Sequence, residues 1–221
     1  IFLIIFNRIF FFIKFRHQQS DTLNMNKKFY VFFSCLLVVL AFSCTTFPKH
    51  SNKPISQQPS IYIDARGTKS AQQLFAFFIS KNPDVKYEKV IRLAEYYISE
   101  SNIEGINSDV AFIQMCLETG FLRFGGLVTE EMNNFCGLGS IDKNNPGNTF
   151  ETELLGVRAH IQHLHAYGTT RELKQPLIDT RYKYVNPRGK APTIHELAGT
   201  WAADKAYGTK LESLLNQLSV F

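Results

Sequence analysis

One acidic residue, Glu118, stands at the end of an apolar stretch whose surroundings would change its chemistry. Residues 110–117 are apolar enough to form a helix that is buried on most sides. A carboxylate in the last turn meets the negative end of the helix dipole, and Phe121 and Phe124 would desolvate it, so its pKa should be raised. A carboxyl group that stays protonated near neutral pH can protonate a leaving sugar oxygen. The alternative is an exposed helix-end glutamate with no role.

The elements that must position Glu118 are predicted to be mostly helices. Apolar residues at helical spacing predict helices over 70–80, 87–101, 108–118, 153–167 and 210–218. Ser108 is the predicted N-cap of the third helix, and Gly120 is its predicted C′ residue. A further helical region is predicted to begin at Thr193, which has Glu196 at capping-box spacing, and to include Trp201 before Tyr207 and Gly208 break the pattern.

Residues 127–150 have a different composition from the helices around them. They hold glycine and asparagine repeatedly, together with Pro146, which is typical of loops or a short hairpin. The sequence therefore predicts an α+β fold that is mostly α, with a small irregular or β element inserted after the helix that carries Glu118.

The N-terminal part of the chain is predicted to be a leader rather than part of the fold. Met25 is the first methionine, so residues 1–24 are interpreted as an upstream extension. Residues 25–44 have a short basic start and an apolar run of signal-peptide length, ending at Cys44 in a pattern similar to a bacterial lipoprotein box. Lipidation of Cys44 is the preferred interpretation; ordinary secretion and an uncleaved anchor are the alternatives.

The chain after Cys44 is predicted to consist of a tether followed by a folded domain. Residues 45–67 are largely rich in proline, serine, glutamine and lysine and predict a flexible tether, whereas the folded domain is expected over 68–221. These features predict a cell-envelope protein held on a periplasmic or outer membrane by a lipid anchor.

The charge of the chain gives no argument for nucleic-acid binding. The net charge is +5, but five of the 24 basic residues and one of the 19 acidic residues precede Cys44. The remainder holds 19 basic and 18 acidic residues, a net charge of +1. We expect no nucleic-acid partner and a monomer.

No metal or cofactor is predicted from the histidines and cysteines. Cys116 and Cys136 lie in apolar settings and are expected to be small buried side chains, although an envelope location would permit a disulfide. His160, His163 and His165 lie in one helical stretch without ligand spacing, and we expect them on the helix surface.

Three motifs, taken in order, resemble the signatures of one known family. They are FIQMCLETG at 112–120, NNFCGLG at 133–139 and WAADKAYGTKL at 201–211. They are similar to the patterns AQxxLETGxG, NNFFGIG and YATDPxYAxKL of the bacterial glucosaminidase domain, glycoside hydrolase family 73. The resemblance covers about 71–218. It implies a lysozyme-like fold and an endo-β-N-acetylglucosaminidase that acts on peptidoglycan glycan strands.

The resemblance also implies roles for particular residues. Glu118 matches the general acid of the family, and Asn134 and Phe135 match the loop that lines the sugar cleft. Trp201 and Tyr207 match aromatic residues of the last signature, Tyr207 being the one placed near the acid. These residue types suit a sugar site, since aromatic faces pack on a pyranose and an asparagine amide can bind an acetamido group. For Trp201, an anchor in the core is an equally good interpretation.

The second catalytic group is left open by the sequence. Candidate carboxylates near the irregular segment are Glu130, Glu131, Asp142, Glu151 and Glu153. Asp142 is preferred because it directly follows the NNFCGLG loop. The two-carboxylate mechanism needs such a partner at about 5 Å for retention or about 6.5–9.5 Å for inversion. Attack by the substrate's own N-acetyl group would need none.

Two other functions fit the same residues. A lytic transglycosylase or muramidase on this fold would cut the other glycosidic linkage. A non-catalytic glycan-binding lipoprotein would keep the aromatic cleft but tolerate the loss of Glu118.

Overall fold

The computed structural model describes residues 58–221, and this part of the chain is mostly helical. The residues before 58, which include the predicted extension, the signal peptide, Cys44 and most of the tether, lie outside the described residues. The helices are α1 (Ala71–Lys81), α2 (Tyr87–Glu104), α3 (Ser108–Glu118), α4 (Glu153–Gly168) and α5 (Tyr207–Leu218). Two short 3₁₀ helices cover Glu130–Met132 and Tyr182–Tyr184.

Helix α3 is the centre of the domain. Nine consecutive residues, 108–116, are buried, and α3 packs against all four other helices. Its N-cap is Asn107 rather than the predicted Ser108, because the Asn107 carboxamide accepts hydrogen bonds from the amides of Asp109 and Val110. A helix that is buried on every side needs neighbours on every side, which explains why the sequence between 108 and 117 is almost entirely apolar.

Residues 61–69, called the strap below, precede α1 and close over the start of α3, so ordered contacts begin before the predicted domain start at residue 68. Ile63 is fully buried. Its amide donates to the carbonyl of Pro192 and its carbonyl accepts from the amide of Asn107, each at 2.9 Å. The carboxylate of Asp109 accepts hydrogen bonds from Thr68 and Lys69. Polar composition predicted a tether here, but one isoleucine and these backbone bonds are enough to dock the strap.

The segment between α3 and α4 is irregular, as the sequence predicts. Among residues 58–221 the only β pairings are three isolated bridges, and one of them, Asp142 with Asn145, lies in this segment. The segment is held against α4 because Gly156 lies under the carbonyl of Asn133: a Cβ at Gly156 would meet that oxygen at 1.8 Å. The prediction of a mostly α fold with an irregular lobe after the Glu118 helix is confirmed.

The predicted helical region after Thr193 is wrong. The capping contact does form, since Glu196 accepts hydrogen bonds from both the amide and the hydroxyl of Thr193. The chain then runs through turns, with Gly199 at φ +80°, and brings Trp201 round towards α3. Tyr207 does not break a helix but begins α5, and Gly208 is required there because a Cβ would meet the Cα of His195 at 2.6 Å.

Two of the three histidines are not on the helix surface. His160 and His165 are fully buried in α4 and His163 is partly buried, which corrects the surface prediction. His160 shares a buried face with Val157, Ile161 and Leu164, and its ring nitrogens find partners on α2 and α3.

Candidate active site

Glu118 is the last residue of α3 and reaches the surface where that helix ends. The turn that follows has positive φ at three consecutive residues, Gly120, Phe121 and Leu122. Positive φ suits glycine but strains other residues, so something must hold Phe121 and Leu122 in place. Such backbone often occurs at functional sites.

Side chains around the turn fix its shape. The hydroxyl of Thr119 donates to the carbonyl of Met115 at 2.8 Å and accepts from the amide of Leu122 at 2.9 Å. The amide side chain of Asn82 donates to the carbonyl of Phe121 at 2.8 Å, and the Phe121 ring packs edge-on against Phe78. The chain therefore leaves Glu118 in a fixed direction.

The Glu118 carboxylate is bonded on one oxygen only. Its Oε1 accepts hydrogen bonds from the indole N–H of Trp201 at 3.0 Å and from the hydroxyl of Tyr207. Its Oε2 has no hydrogen-bond partner among residues 58–221. The residue is exposed at one edge and enclosed by protein on the others, and this burial raises the pKa of Glu118, against the opposing effect of the Tyr207 and Trp201 hydrogen bonds.

Tyr207 is a permanent donor at this site. It is only 5% exposed. Burial first, and then the nearby charge and hydrogen bond of Glu118, raise the pKa of Tyr207 well above its ordinary value. Its hydroxyl therefore stays protonated throughout the pH range in which the carboxyl of Glu118 titrates.

A line of buried polar side chains leads away from Tyr207 into the core. Gln114 Nε2 donates to the Tyr207 hydroxyl at 3.0 Å, and Gln114 Oε1 lies 3.0 Å from His160 Nε2. His160 Nδ1 lies 2.8 Å from the hydroxyl of Tyr97. Tyr97, His160 and Gln114 are each fully buried. Burial, with a smaller effect of His163, lowers the pKa of His160 to about 3, so its ring is neutral at ordinary pH.

Two small cavities that share lining residues lie near Glu118. The Phe124 cavity, about 160 Å³, is lined by Glu118, Phe124 and Val128. The Trp201 cavity, about 150 Å³, is lined by Trp201, Tyr167 and Arg181. Gly137 and Ser140 of the irregular segment line both. Glu118 is the only carboxylate that lines either cavity within residues 58–221.

A wider hollow of about 640 Å³ lies elsewhere, between α1, α5 and the C-terminal residues. Glu118, Trp201 and Tyr207 do not line it. The acid and the aromatic residues therefore favour the two smaller cavities as the candidate site.

The family of the chain follows from a comparison with known proteins. The family model for the glucosaminidase domain, described as mannosyl-glycoprotein endo-beta-N-acetylglucosaminidase, matches residues 94–220. The chain belongs to this glucosaminidase family. An uncharacterized protein of Borreliella burgdorferi is 39% identical over 202 residues, which cover 88% of this chain and 96% of that protein. No solved structure matches the chain significantly.

The glucosaminidase match spans all three motifs, and the structure brings parts of them together. Glu118 of the first motif meets Trp201 and Tyr207 of the third. Trp201 is partly exposed and packs against the rings of His163 and Tyr167, so it is both a packing residue and a neighbour of the acid.

Of the two residues predicted from the second motif, only Asn134 lines a cavity of the site. Phe135 is fully buried in the core near Gly156, so the prediction that it lines the cleft is wrong. Asn134 borders the Phe124 cavity, but its carboxamide is fully engaged by the loop. It donates to the carbonyls of Leu138 and Asn148 and accepts from the amide of Leu138. Asn134 therefore shapes the loop rather than offering its amide to a sugar.

The candidate second carboxylates have partners of their own. Asp142 is exposed and accepts hydrogen bonds from Asn144 and Asn145 within a tight turn, which lower its pKa. It follows Ile141, which lines the Trp201 cavity, but does not itself line that cavity. A catalytic role for Asp142 stays a prediction.

The other acidic candidates lie at ion pairs or on the surface. Glu130 pairs with Lys89, and Glu153 pairs with Arg92 and Lys89. Glu131 and Glu151 are exposed, and the Thr129 side chain lowers the pKa of Glu131.

The inner part of the site, formed by Tyr97, Gln114 and His160, is missing from the sequence prediction. Its signal was present: Gln114 is a polar residue inside an apolar helical run, and His160 falls on the apolar face of α4. Buried polar side chains need partners, so each position was a sign of a buried bond.

Residues 58–221 contain neither a cluster of metal ligands nor a membrane-spanning helix. The described residues contain no group of three or more His, Cys, Asp or Glu arranged to hold a metal ion. None of the helices in this range is long and apolar enough to cross a membrane.

Proposed function

We propose that the protein is a peptidoglycan hydrolase, an endo-β-N-acetylglucosaminidase, with Glu118 as its general acid. Membership of the glucosaminidase family supports a glycosidase acting on glycan. One observation carries the assignment of the acid: a single carboxyl group with a raised pKa lines the Phe124 cavity and bonds to Trp201, which lines the other cavity. One of its oxygens is bonded, and the other has no partner within the described residues.

In this mechanism Glu118 donates its proton to the oxygen that links two sugars. The bond between the anomeric carbon and that oxygen breaks, the leaving sugar departs as an alcohol, and positive charge develops on the sugar ring. The ionised Glu118 then takes a proton from an incoming water. The indole N–H of Trp201 and the Tyr207 hydroxyl stabilise the carboxylate while it carries charge.

Substrate assistance supplies the nucleophile in this proposal. The supporting observation is that neither cavity is lined by a second carboxylate from residues 58–221. The acetamido oxygen of the bound N-acetylglucosamine attacks its own anomeric carbon and forms a bicyclic oxazolinium intermediate. Water then opens that ring with overall retention.

The test is digestion of purified peptidoglycan by the full chain in detergent, with wild type and Glu118→Gln in parallel. Mass spectrometry of borohydride-reduced products identifies the new ends. We expect reducing N-acetylglucosamine ends from the wild type and a loss of at least about 100-fold in Glu118→Gln. Reducing or anhydro N-acetylmuramic acid ends would instead indicate a muramidase or a transglycosylase. Binding without new ends would indicate a glycan-binding protein.

The stereochemistry of the product tests the nucleophile. NMR of fresh products should give the β-anomer first, since substrate assistance retains configuration. Asp142→Asn should keep wild-type turnover. Strong loss of turnover in Asp142→Asn, or initial release of the α-anomer, would contradict substrate assistance.

We also propose that Cys44 carries a lipid and holds the enzyme at the cell envelope. Support comes from the sequence of residues 25–44 alone. Growth with an alkyne fatty acid should label the wild-type protein and leave Cys44→Ser unlabelled and released from membranes. An unlabelled wild type would contradict the anchor.

A further inference from the structure

Four side chains connect the core of the domain to the Glu118 carboxylate through consecutive hydrogen bonds. In order they are Tyr97 on α2, His160 on α4, Gln114 on α3 and Tyr207 on α5. Each comes from a different helix, and none is more than 5% exposed. We call this set the Tyr97–Tyr207 line.

The donors in this line all point towards Glu118. The NH₂ group of Gln114 can only donate, so the Tyr207 oxygen must accept from it. The single hydroxyl proton of Tyr207 is then available for Glu118 Oε1.

The hydrogen positions at the other end of the line follow from the Gln114 carbonyl. The carbonyl oxygen of Gln114 can only accept, so His160 Nε2 must carry the hydrogen. Because the buried ring is neutral, its Nδ1 has no hydrogen and accepts from the Tyr97 hydroxyl.

Reversing the line would turn the Tyr207 hydroxyl away from the acid. If the Gln114 amide were rotated, its oxygen would face Tyr207 and accept a hydrogen bond from the hydroxyl, which would then no longer donate to Glu118. That rotation would place an NH₂ group against His160 Nε2, and it therefore needs the other tautomer of the histidine. The tautomer of His160 thus determines the orientation of the Gln114 amide, and that orientation determines where the Tyr207 hydroxyl donates.

We propose that His160 and Gln114 are positioning residues that hold the Tyr207 hydroxyl as a donor to Glu118 Oε1 and thereby keep the acidic proton on Oε2. The catalytic role of that proton rests on the proposed function. With two hydrogen bonds already accepted by Oε1, from Trp201 and Tyr207, the free oxygen is the one left to carry the proton to the substrate.

Other titratable groups around this centre include Cys116 on α3, whose thiol pKa is raised by burial, and groups from three further segments. Cys136 of the irregular segment is buried, and burial raises the pKa of its thiol well above the ordinary value. His163 on α4 packs against Trp201 and bonds to Asp179 at 2.8 Å. None of them bonds to Glu118 or to the Tyr97–Tyr207 line, so the line can be tested separately.

The first experiment needs no catalysis. Nitrogen-15 NMR of histidine-labelled full chain in detergent reports which ring nitrogen carries hydrogen. We expect His160 as the neutral Nε2–H tautomer from pH 5 to 8. The Nδ1–H tautomer, or a protonated ring at neutral pH, would overturn the proposal even if every variant failed to fold.

The second experiment replaces His160 by leucine, which releases the Gln114 amide. Loss of the donor to Oε1 removes a bond that favours the carboxylate, so the pKa of Glu118 should rise. Carbon-13 NMR of the Glu118 carboxyl measures this directly, and the alkaline limb of the pH–rate profile should move to higher pH. We expect kcat to fall about tenfold, the scale of losing an orienting partner.

A rescue variant and a control complete the series. His160→Gln restores an N–H near the Nε2 position and should recover part of kcat and of the Glu118 titration. His165→Phe changes another buried histidine of α4 that has no bond to the line, and it should leave both unchanged. An unmoved Glu118 titration in His160→Leu would overturn the positioning role.

The outcome also separates this proposal from the proposed function. If the Glu118 titration moves in His160→Leu but the wild type releases no sugar ends, the positioning stands and the hydrolase assignment fails. If the wild type cleaves, and neither the Glu118 titration nor the pH–rate profile moves in His160→Leu, the hydrolase assignment stands and the positioning role fails.

Discussion

At the scale of single residues, the site depends on how two opposing effects act on one carboxyl group. Burial raises the pKa of Glu118, while hydrogen bonds from Tyr207 and Trp201 favour its ionised form. An acid that must give up a proton and regain it needs both the burial and the hydrogen bonds. Burial keeps the proton available, and the donors stabilise the charge left behind.

Trp201→Phe removes one of these donors and keeps an aromatic ring. Without the indole N–H the ionised form loses a hydrogen bond, so the pKa of Glu118 should rise and the alkaline limb of kcat/KM should move to higher pH. Turnover should fall about tenfold, as expected for a lost charge-assisted hydrogen bond. The pH–rate profiles of both proteins on soluble glycan measure the shift. An unchanged alkaline limb would show that the N–H does not act on the acid.

Glu118→Gln should alter stability in a pH-dependent way. Because the folded pKa of Glu118 is raised above its unfolded value, ionisation costs more in the folded state, and its contribution to stability decreases as pH rises between those two values. The variant should therefore melt at a higher temperature than wild type at pH 7–8. The difference should vanish below about pH 4, where both states are protonated.

Calorimetry at both pH values measures this difference. Glu151→Gln, a change at an exposed residue, is the matched control and should show no pH-dependent gain. A variant that melts below wild type at pH 8 would contradict the account of burial.

At the scale of elements, the turn after α3 decides where Glu118 points. Phe121 and Leu122 hold positive φ angles, which cost about 1–3 kcal/mol each unless neighbours enforce them. The Thr119 hydroxyl enforces them from inside the turn through its bonds to Met115 and Leu122.

Thr119→Val removes that hydroxyl at nearly constant volume. It should lower the free energy of unfolding by about 1–3 kcal/mol, because the amide of Leu122 is left buried without a partner. Turnover should fall further than stability explains, since the direction of Glu118 is relaxed. Urea unfolding and kinetics at a temperature where both proteins are folded measure the two effects. The exposed Thr209→Val should change neither, and equal turnover would mean that the turn is not needed to aim the acid.

The elements also show which features a sequence can predict. Within residues 58–221, helical spacing located the five helices to within a few residues, because that signal is local. Thr193 and Glu196 form their predicted contact, yet no helix follows, because a capping contact does not fix the backbone beyond it. Phe135 was misplaced because an aromatic residue in a loop motif suits a core and a cleft equally well. Its burial depends on Gly156, 21 positions further along the chain.

At the scale of the whole molecule, the site is an assembly of distant segments. Trp201 and Glu118 are 83 residues apart, and Tyr97 and His160 are 63 apart. The irregular segment adds Gly137 and Ser140, which line both cavities. No local pattern joins such positions. The sequence therefore predicted Glu118 from its local chemistry and Tyr207 through the family resemblance, but not the buried line behind them.

Burying two neutral histidines in this assembly should make the whole fold sensitive to acid. Burial lowers the pKa of His160 to about 3 and, with nearby Arg171 and Arg188, that of His165 to about 4. The unfolded chain protonates both near pH 6.5. Below that value the unfolded state binds more protons than the folded state, so stability should fall as the pH falls from about 6.5 to about 4.

His165→Phe isolates one half of this effect. Two extra protons on the unfolded chain correspond to a slope of up to about 2.7 kcal/mol per pH unit, and one proton to about 1.4. Removing His165 should therefore reduce the slope of unfolding free energy against pH by about half of the histidine contribution, while the carboxylates contribute equally in both proteins. Urea unfolding at pH 7, 5.5 and 4 measures the slope. Identical slopes would mean that His165 is already protonated in the folded state, which would contradict the lowered pKa that burial and the two arginines give it.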